Sequence, residues 1–254
     1  MKNRLKKIIK RLVPSYSRPY LWLYHHFYRP ARFPSLNHLI VRFSQNHPKV
    51  NLLMIGAHEG LPADIVYRYI HLNDWSGLLV EPQREAFQLL KKSFRHHPRL
   101  RFENVAVSDE PGQRRFYYLE STGPPLPAWA NQLSSFHSEV PKAVLADYPP
   151  ARLVSQDIAC TTINHLLDKH QFTQLDFLMI DTEGHDFEIL KVLDFQRWRP
   201  AFIVYEHCHL SESDQTAAIQ LLQQQGYFVY PTAFNTAGFK DEGMAEEYAE
   251  YICV

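Results

Sequence analysis

Asp181, Glu183, His185 and Asp186 crowd around Gly184, directly after the apolar run Phe177, Leu178, Met179 and Ile180. Such a run reads as a strand buried on both faces. Asp181 then falls at a strand's carboxyl end, where open α/β sheets place their ligands. A carboxylate there can take a proton from a hydroxyl, and an imidazole close by has an intrinsic pKa suited to the same task. Asp181 and His185 are the two candidates for a catalytic base, with Glu183 and Asp186 beside the imidazole to orient or tune it. The plain alternative is a turn shaped by Gly184 and His185 that caps the next helix.

A second constellation faces the first. Gly56-Ala57-His58-Glu59-Gly60 follows the apolar run 50–55, and the chain holds only nine glycines, so two within this turn mark a sharp bend whose backbone can approach a ligand. Glu81 ends the next apolar run, where a carboxylate can accept hydrogen bonds from both hydroxyls of a ribose. A dinucleotide calls for G-x-G-x-x-G and a pyrophosphate at the helix start. Here Ala57, His58 and Glu59 separate the glycines, and Glu59 would stand beside that phosphate. S-adenosylmethionine carries a sulfonium cation and no phosphate, so it suits an acid there better. A third cluster, Glu206, His207, Cys208 and His209, has metal-ligating residue types and ends a further strand. Strand alternation sends His207 and His209 to one face and Glu206 to the other, so a metal shared with Asp181 is not expected.

These residues need a scaffold that gathers strand ends. The pattern predicts strands over 50–55, 77–80, 101–107, 156–162, 175–180, 201–205, 227–230 and 247–254. An outer strand over 114–119 is favoured by Phe116, Tyr117 and Tyr118. Helices are predicted over 61–72, with Pro62 in the first turn, and over 84–94, 163–170 and 186–193. One more opens at a capping box of Ser211 and Asp214 and closes at Gly226. Repeated βα units with buried strands predict one α/β domain over 49–254, built on a doubly wound, mostly parallel sheet. The stretch 121–150 is longer than ordinary connections and rich in proline. Trp129, Phe136 and Val140 within it favour an ordered substrate loop or lid.

The 254 residues, 45% of them hydrophobic, suit one such domain. No apolar run approaches the roughly 20 residues of a transmembrane helix, and no secretory signal is legible at the start. Cys160, Cys208 and Cys253 show no C-x-x-C spacing and read as reduced thiols of a cytoplasmic protein. The formal charge is zero but lopsided: Met1 to His58 holds 11 Lys or Arg and no Asp or Glu. Residues 1–48 therefore form a basic arm. Leu5, Ile8, Ile9 and Leu12 recur at helical spacing among Lys6, Lys7, Lys10 and Arg11, and Pro14 ends the helix. Tyr16, Tyr20, Trp22, Tyr24, Phe27 and Tyr28 follow. Such an arm suits peripheral contact of residues 1–32 with an anionic inner membrane face, or a helical hairpin packed on the domain or on a partner subunit. The acidic remainder argues against nucleic acid, and the oligomeric state is left open.

The motifs also resemble a family. Met54-Ile55-Gly56-Ala57-His58-Glu59-Gly60, Val80-Glu81-Pro82, Asn104-Val105-Ala106-Val107-Ser108, Ser134-Ser135-Phe136 and Ile180-Asp181-Thr182-Glu183-Gly184-His185-Asp186 occur in the order seen in FkbM-like methyltransferases. The resemblance spans roughly residues 51–230. It implies the seven-stranded Rossmann-like methyltransferase fold, S-adenosylmethionine as donor, and usually O-methylation of a sugar, glycolipid or natural product. It also implies that Ile55, Gly56, Ala57 and Gly60 line the donor, that Glu81 holds its ribose, and that Asn104 and Val105 border the adenine. Met54 and His58 depart from the Asp and Asn common in the family. Two other readings stand beside it: a non-catalytic, degenerate methyltransferase that serves as a binding module, and an NAD-linked oxidoreductase.

Overall fold

The apolar runs become strands β1 (Asn51–Ile55), β2 (Ser76–Val80), β3 (Leu100–Glu103), β4 (Ala106–Val107), β5 (Gly112–Ser121), β6 (Ala151–Thr161), β7 (Phe177–Ile180), β8 (Phe202–Glu206), β9 (Phe228–Pro231) and β10 (Asn235–Phe239). The computed structural model describes residues 35–61, 66–73, 75–124, 126, 130, 132–148, 151–249 and 252–253. The basic helix expected before Pro14, the rings that follow it and the turn at Pro62 lie outside the described residues.

Seven strands form one sheet in the order β3-β2-β1-β7-β8-β10-β9. All neighbours run parallel except β10, which is antiparallel to β8 and to β9. This is the expected doubly wound, Rossmann-like sheet, and its order reverses between β1 and β7. At such a switch point the following loops diverge and leave a crevice at the carboxyl ends. The strands β1, β2, β7 and β8 are buried on both faces, as their continuous apolar character predicted. Leu52, Phe177 and Phe202 pack with Trp75 on one side, and Leu53, Leu178 and Ile203 pack with Ile189 on the other.

The helix Leu36–Asn46, inside the segment read as the arm, packs on the first of these faces: Leu39 and Ile40 are fully buried, and Phe43 stacks on Phe202 at 4.9 Å. The helices Tyr67–Asn73, Arg84–Ser93, Ile163–Lys169, Asp186–Lys191 and Glu212–Gln224 follow their expected strands. Ser211 caps the last of these by accepting from Asp214 N (3.1 Å).

Three expectations are corrected. The strand read over 101–107 is two strands, because the chain leaves the main sheet after Glu103 and pairs again through Ala106 and Val107 with Cys160 and Thr161. The outer strand near residue 116 is β5, which pairs with β6 and belongs to a separate sheet of order β4-β6-β5. No strand spans 247–254 among the described residues. Glu242–Glu247 is a helix, Cys253 makes a single bridge to Val229, and the seventh strand is β10. Ala237 and Gly238 of β10 carry little β propensity. Their small size is needed because a Cβ on Gly238 would lie 3.0 Å from Leu222.

Candidate active site

The glycine turn and the acidic turn are built against each other. Gly56 N and Ala57 N both donate to Val80 O, and Asp181 N donates to Ile55 O, so the three strand ends stay in register past the sheet. Gly56 adopts φ +80°, and a Cβ there would lie 1.7 Å from the carbonyl oxygen of Asp181. Only glycine permits both the left-handed backbone and that approach.

Between these turns lies a cavity of about 240 Å³. One side carries Ile55, Gly56, Ala57, His58, Glu81 and Val105. Its opposite side carries Asp181, Thr182 and Glu183. Met54 and Met179 lie beneath, and Phe116, Gln132, Ser134 and Phe136 close over it.

Glu81 is 3% exposed, and its two oxygens accept from His58 N and Gln83 N, each at 2.8 Å. Burial pushes its carboxyl up to about 7, against the pull of these two N–H groups, with Glu59 adding a smaller push in the same direction. Gly60 does not line the cavity. It lets the turn close against Phe94 and Leu90, whose side chains a Cβ would overlap. Asn104 acts from behind: its amide donates to Glu81 O (2.7 Å) and Pro82 O (3.0 Å), fixing the backbone after β2.

On the opposite side, Glu183 (φ +56°) and Gly184 (φ +102°) make the sharp turn after β7. Asp186 is completely buried and holds that turn together. It accepts from Thr182 Oγ1 (2.9 Å), Gly184 N (3.3 Å) and Glu206 N (3.2 Å). Its role is to tie the ends of β7 and β8, and burial raises its carboxyl to about 6. His185 does not reach the cavity. Its ring is 4% exposed and packs against Phe136 at 4.9 Å, and Nε2 meets Ser108 Oγ at 3.0 Å. Burial first, and the nearby Arg114 second, lower it to about 4. The spacing that put His185 near Asp181 in sequence thus turns it into the wall, and Asp181 alone of the two faces the cavity.

Behind Asp181 and Glu183 stands a second layer. Glu183 pairs with His209 Nε2 at 2.9 Å, and Glu206 lies 4.0 Å from the same nitrogen. The carboxylates of Asp181, Glu183 and Glu206 gather within 4.8 Å of one another. Burial, then the charges of Asp181, Glu183 and Asp186, drive Glu206 up to about 9. The hydrogen bond to Glu183 raises His209. His207 points elsewhere, to Thr236 Oγ1 (2.9 Å). Alternation thus separates Glu206 from His207, while the chain's turn after β8 brings His209 back to Glu206.

The long segment 121–150 contributes a strap over the cavity. Ser135 and Tyr117 exchange backbone hydrogen bonds, which adds the strap to β5. Ser134 Oγ accepts from Gln83 Nε2 (2.5 Å) and Ser135 Oγ donates to Glu183 O (2.6 Å). Gln132 Nε2 lies 3.3 Å from His58 Nδ1. The strap therefore touches both walls. Sequence reasoning did not single out Gln132, Leu36 or Asn235, all of which line the cavity. For Gln132, the prolines around it marked only a long loop. Leu36 and Asn235 come from the helix Leu36–Asn46 and from β10, elements that the sequence pattern did not reveal.

The family described as "Methyltransferase FkbM domain" matches residues 55–229. No curated protein matches the chain in sequence. Among solved structures, the chain is similar to a methyltransferase FkbM from Methylobacillus flagellatus KT (14% identity, 88% of this chain and 50% of that one, TM-score 0.47). The chain thus spans half the length of that protein. It is also similar to a putative caffeoyl-CoA O-methyltransferase from Staphylococcus aureus (12% identity, 94% and 99%, TM-score 0.46). A third is a precorrin-6y C5,15-methyltransferase from Geobacter metallireducens GS-15 (11% identity, 85% and 95%, TM-score 0.44).

Proposed function

Since this chain belongs to the FkbM methyltransferase family, we propose that it moves a methyl group from S-adenosylmethionine to a hydroxyl oxygen of a sugar, glycolipid or natural product. The observation that carries this reading is the pairing of Glu81 and Asp181 across one cavity. Each oxygen of Glu81 uses one lone pair on a backbone N–H. A carboxylate oxygen has a second, and the side chain borders the cavity, so a vicinal diol such as a ribose fits it. Gly56 and Ala57 present backbone without bulk, and Val105, Val107 and Phe116 offer an apolar slot for a flat base.

S-adenosylmethionine, when bound, supplies an electrophilic methyl carbon. The chain's own residues must then hold the hydroxyl and remove its proton. Alignment of the reacting atoms can supply most of the acceleration, and Ser134, Gln132 and Phe136 of the strap line the cavity in which they must be held. We assign the proton to a carboxylate oxygen of Asp181. His185 is buried and does not line the cavity, and serves to support the wall.

Calorimetry tests the donor. S-adenosylhomocysteine should bind and NAD should not, and tight NAD binding with no response to S-adenosylhomocysteine would sink the reading in favour of an oxidoreductase. Methyl transfer from radiolabelled donor into a sugar-lipid extract tests the chemistry. Asp181→Asn should lower that rate by about two orders of magnitude or more while leaving S-adenosylhomocysteine affinity nearly unchanged. Binding without any transfer would instead favour the non-catalytic module.

A further inference from the structure

The turn after β8 carries His209 back over the acidic wall. Leu210 N donates to His207 O (3.0 Å), and Gln215 Nε2 donates to the carbonyls of His207 and Leu210 (3.1 Å each), so the helix Glu212–Gln224 holds that turn closed. Gly184 leaves the space for it: a Cβ there would lie 3.3 Å from His209 Cβ and 3.4 Å from the His209 carbonyl oxygen. His209 Nε2 comes to 2.9 Å from Glu183 and 4.0 Å from Glu206. Its side chain is 31% exposed, against 14% for each glutamate, so the imidazole exchanges protons with water while the acids behind it are covered.

The other groups around His209 are acids or stay neutral. Asp181, Glu183 and Glu206 lie within 4.8 Å of one another. Asp186 adds its charge from the start of the next helix. Cys208 stands beside Glu206, and burial, with the charge of that acid, pushes its thiol up to about 12, so it remains a thiol. His207 turns away to Thr236. From the strap, His137 approaches Gly184 and faces Glu139 at 3.8 Å. Three carboxylates this close repel one another, and a cation beside two of them lowers the cost of charging the third. His209 is held at that place, and the pairing with Glu183 raises it, so it keeps its proton further into the neutral range than a free imidazole does.

We propose that His209 is a positioning residue for proton removal: held against Glu183 and Glu206, its ring offsets the charge of the acidic wall and keeps Asp181 able to take the acceptor's proton. The offset stands on the geometry of the wall; its consequence for Asp181 rests on the methyltransferase reading.

NMR of the full chain, labelled at the histidine rings, reads the offset directly, with His209 identified by the signal lost in His209→Gln. It should titrate above 6.5 in the wild type and at least about half a unit lower in Glu183→Gln. Titration at or below 6.5, or no change in Glu183→Gln, would overturn the proposal. Transfer from radiolabelled donor into a sugar-lipid extract reads the consequence. In His209→Gln the acid limb of the pH–rate profile should move up by about one pH unit, which is about tenfold in rate at a given pH on that limb. His209→Lys, which keeps a cation, should return the limb toward its wild-type place. S-adenosylhomocysteine calorimetry should give the same Kd for the wild type and both His209 variants. A rate lowered equally at every pH would make His209 a structural residue only and defeat the proposal. So would a requirement for magnesium together with a fall in the His209 titration when magnesium is added, since the acids would then hold a cation of their own. The two readings fail separately. A wild type that transfers nothing while His209 titrates high removes the methyltransferase reading and the consequence for Asp181, and transfer with His209 unshifted removes only the offset.

Discussion

Glu81 must accept hydrogen bonds as a carboxylate, yet it stands where a carboxylate is costly. Two backbone N–H groups favour its charge, and burial outweighs them, leaving it at about 7. Near neutrality it is thus divided between an anion, which accepts from both hydroxyls of a diol, and an acid, which has one acceptor site fewer and one donor more. Donor affinity should follow the anion. Calorimetry of S-adenosylhomocysteine from about pH 5.5 to 8.5 should show Kd falling as pH rises through about 7 and levelling off above it. A flat profile across that range would mean that Glu81 does not hold the ribose. His185 has the opposite character: burial lowers it to about 4, so it is neutral across the range in which the donor profile changes.

At the scale of elements, the junction of β1 and β7 is where the fold makes the site, and Gly56 is the residue on which that junction depends. Gly56→Ala should destabilise the chain by at least about 2 kcal/mol, since a left-handed alanine costs about 1–2 kcal/mol and the methyl must also displace the Asp181 carbonyl. Urea denaturation measures the loss, and a shift within about 0.5 kcal/mol would show that the two turns are not in such contact. This junction was legible in the sequence because a glycine and an acid at the ends of apolar runs have few other uses. Glu81 was legible for the same reason. His185 was less so: sequence spacing says that it is near Asp181, not that the left-handed Glu183 and Gly184 turn it away. The strap residue Gln132 carried no signal, because its place depends on the pairing of Ser135 with Tyr117 across a long segment. Strand β10 was hidden for a packing reason, since the helix Glu212–Gln224 leaves room only for small side chains that propensity does not assign to strands.

Over the whole molecule, the acids gathered at the ends of β7 and β8 set how stability responds to pH. Glu206 rises from its ordinary 4.5 to about 9 because it is buried beside Asp181, Glu183 and Asp186. Its folded-state pKa lies above the unfolded one, so the folded chain binds this proton more tightly. The stability it confers is complete below about 4.5 and drains away as pH rises toward about 9, at up to about 1.4 kcal/mol per pH unit. Asp186, raised to about 6, adds a loss in the same direction over a lower and narrower range. The fold should therefore weaken toward alkaline pH although its formal net charge is zero. Glu206→Gln removes the larger share, because a neutral amide of the same size has no proton to lose. Urea melts of both proteins at about pH 5, 7 and 8.5 should show little difference at the acid end and a widening advantage for the variant toward the alkaline end, each kcal/mol appearing as about 2–4 °C in a parallel thermal melt. Parallel curves would mean that Glu206 is solvated or paired in the folded chain. A wild-type curve that steepens relative to the variant would identify the acidic layer behind Asp181 as a standing electrostatic cost, held in the fold at the wall from which the acceptor's proton must leave.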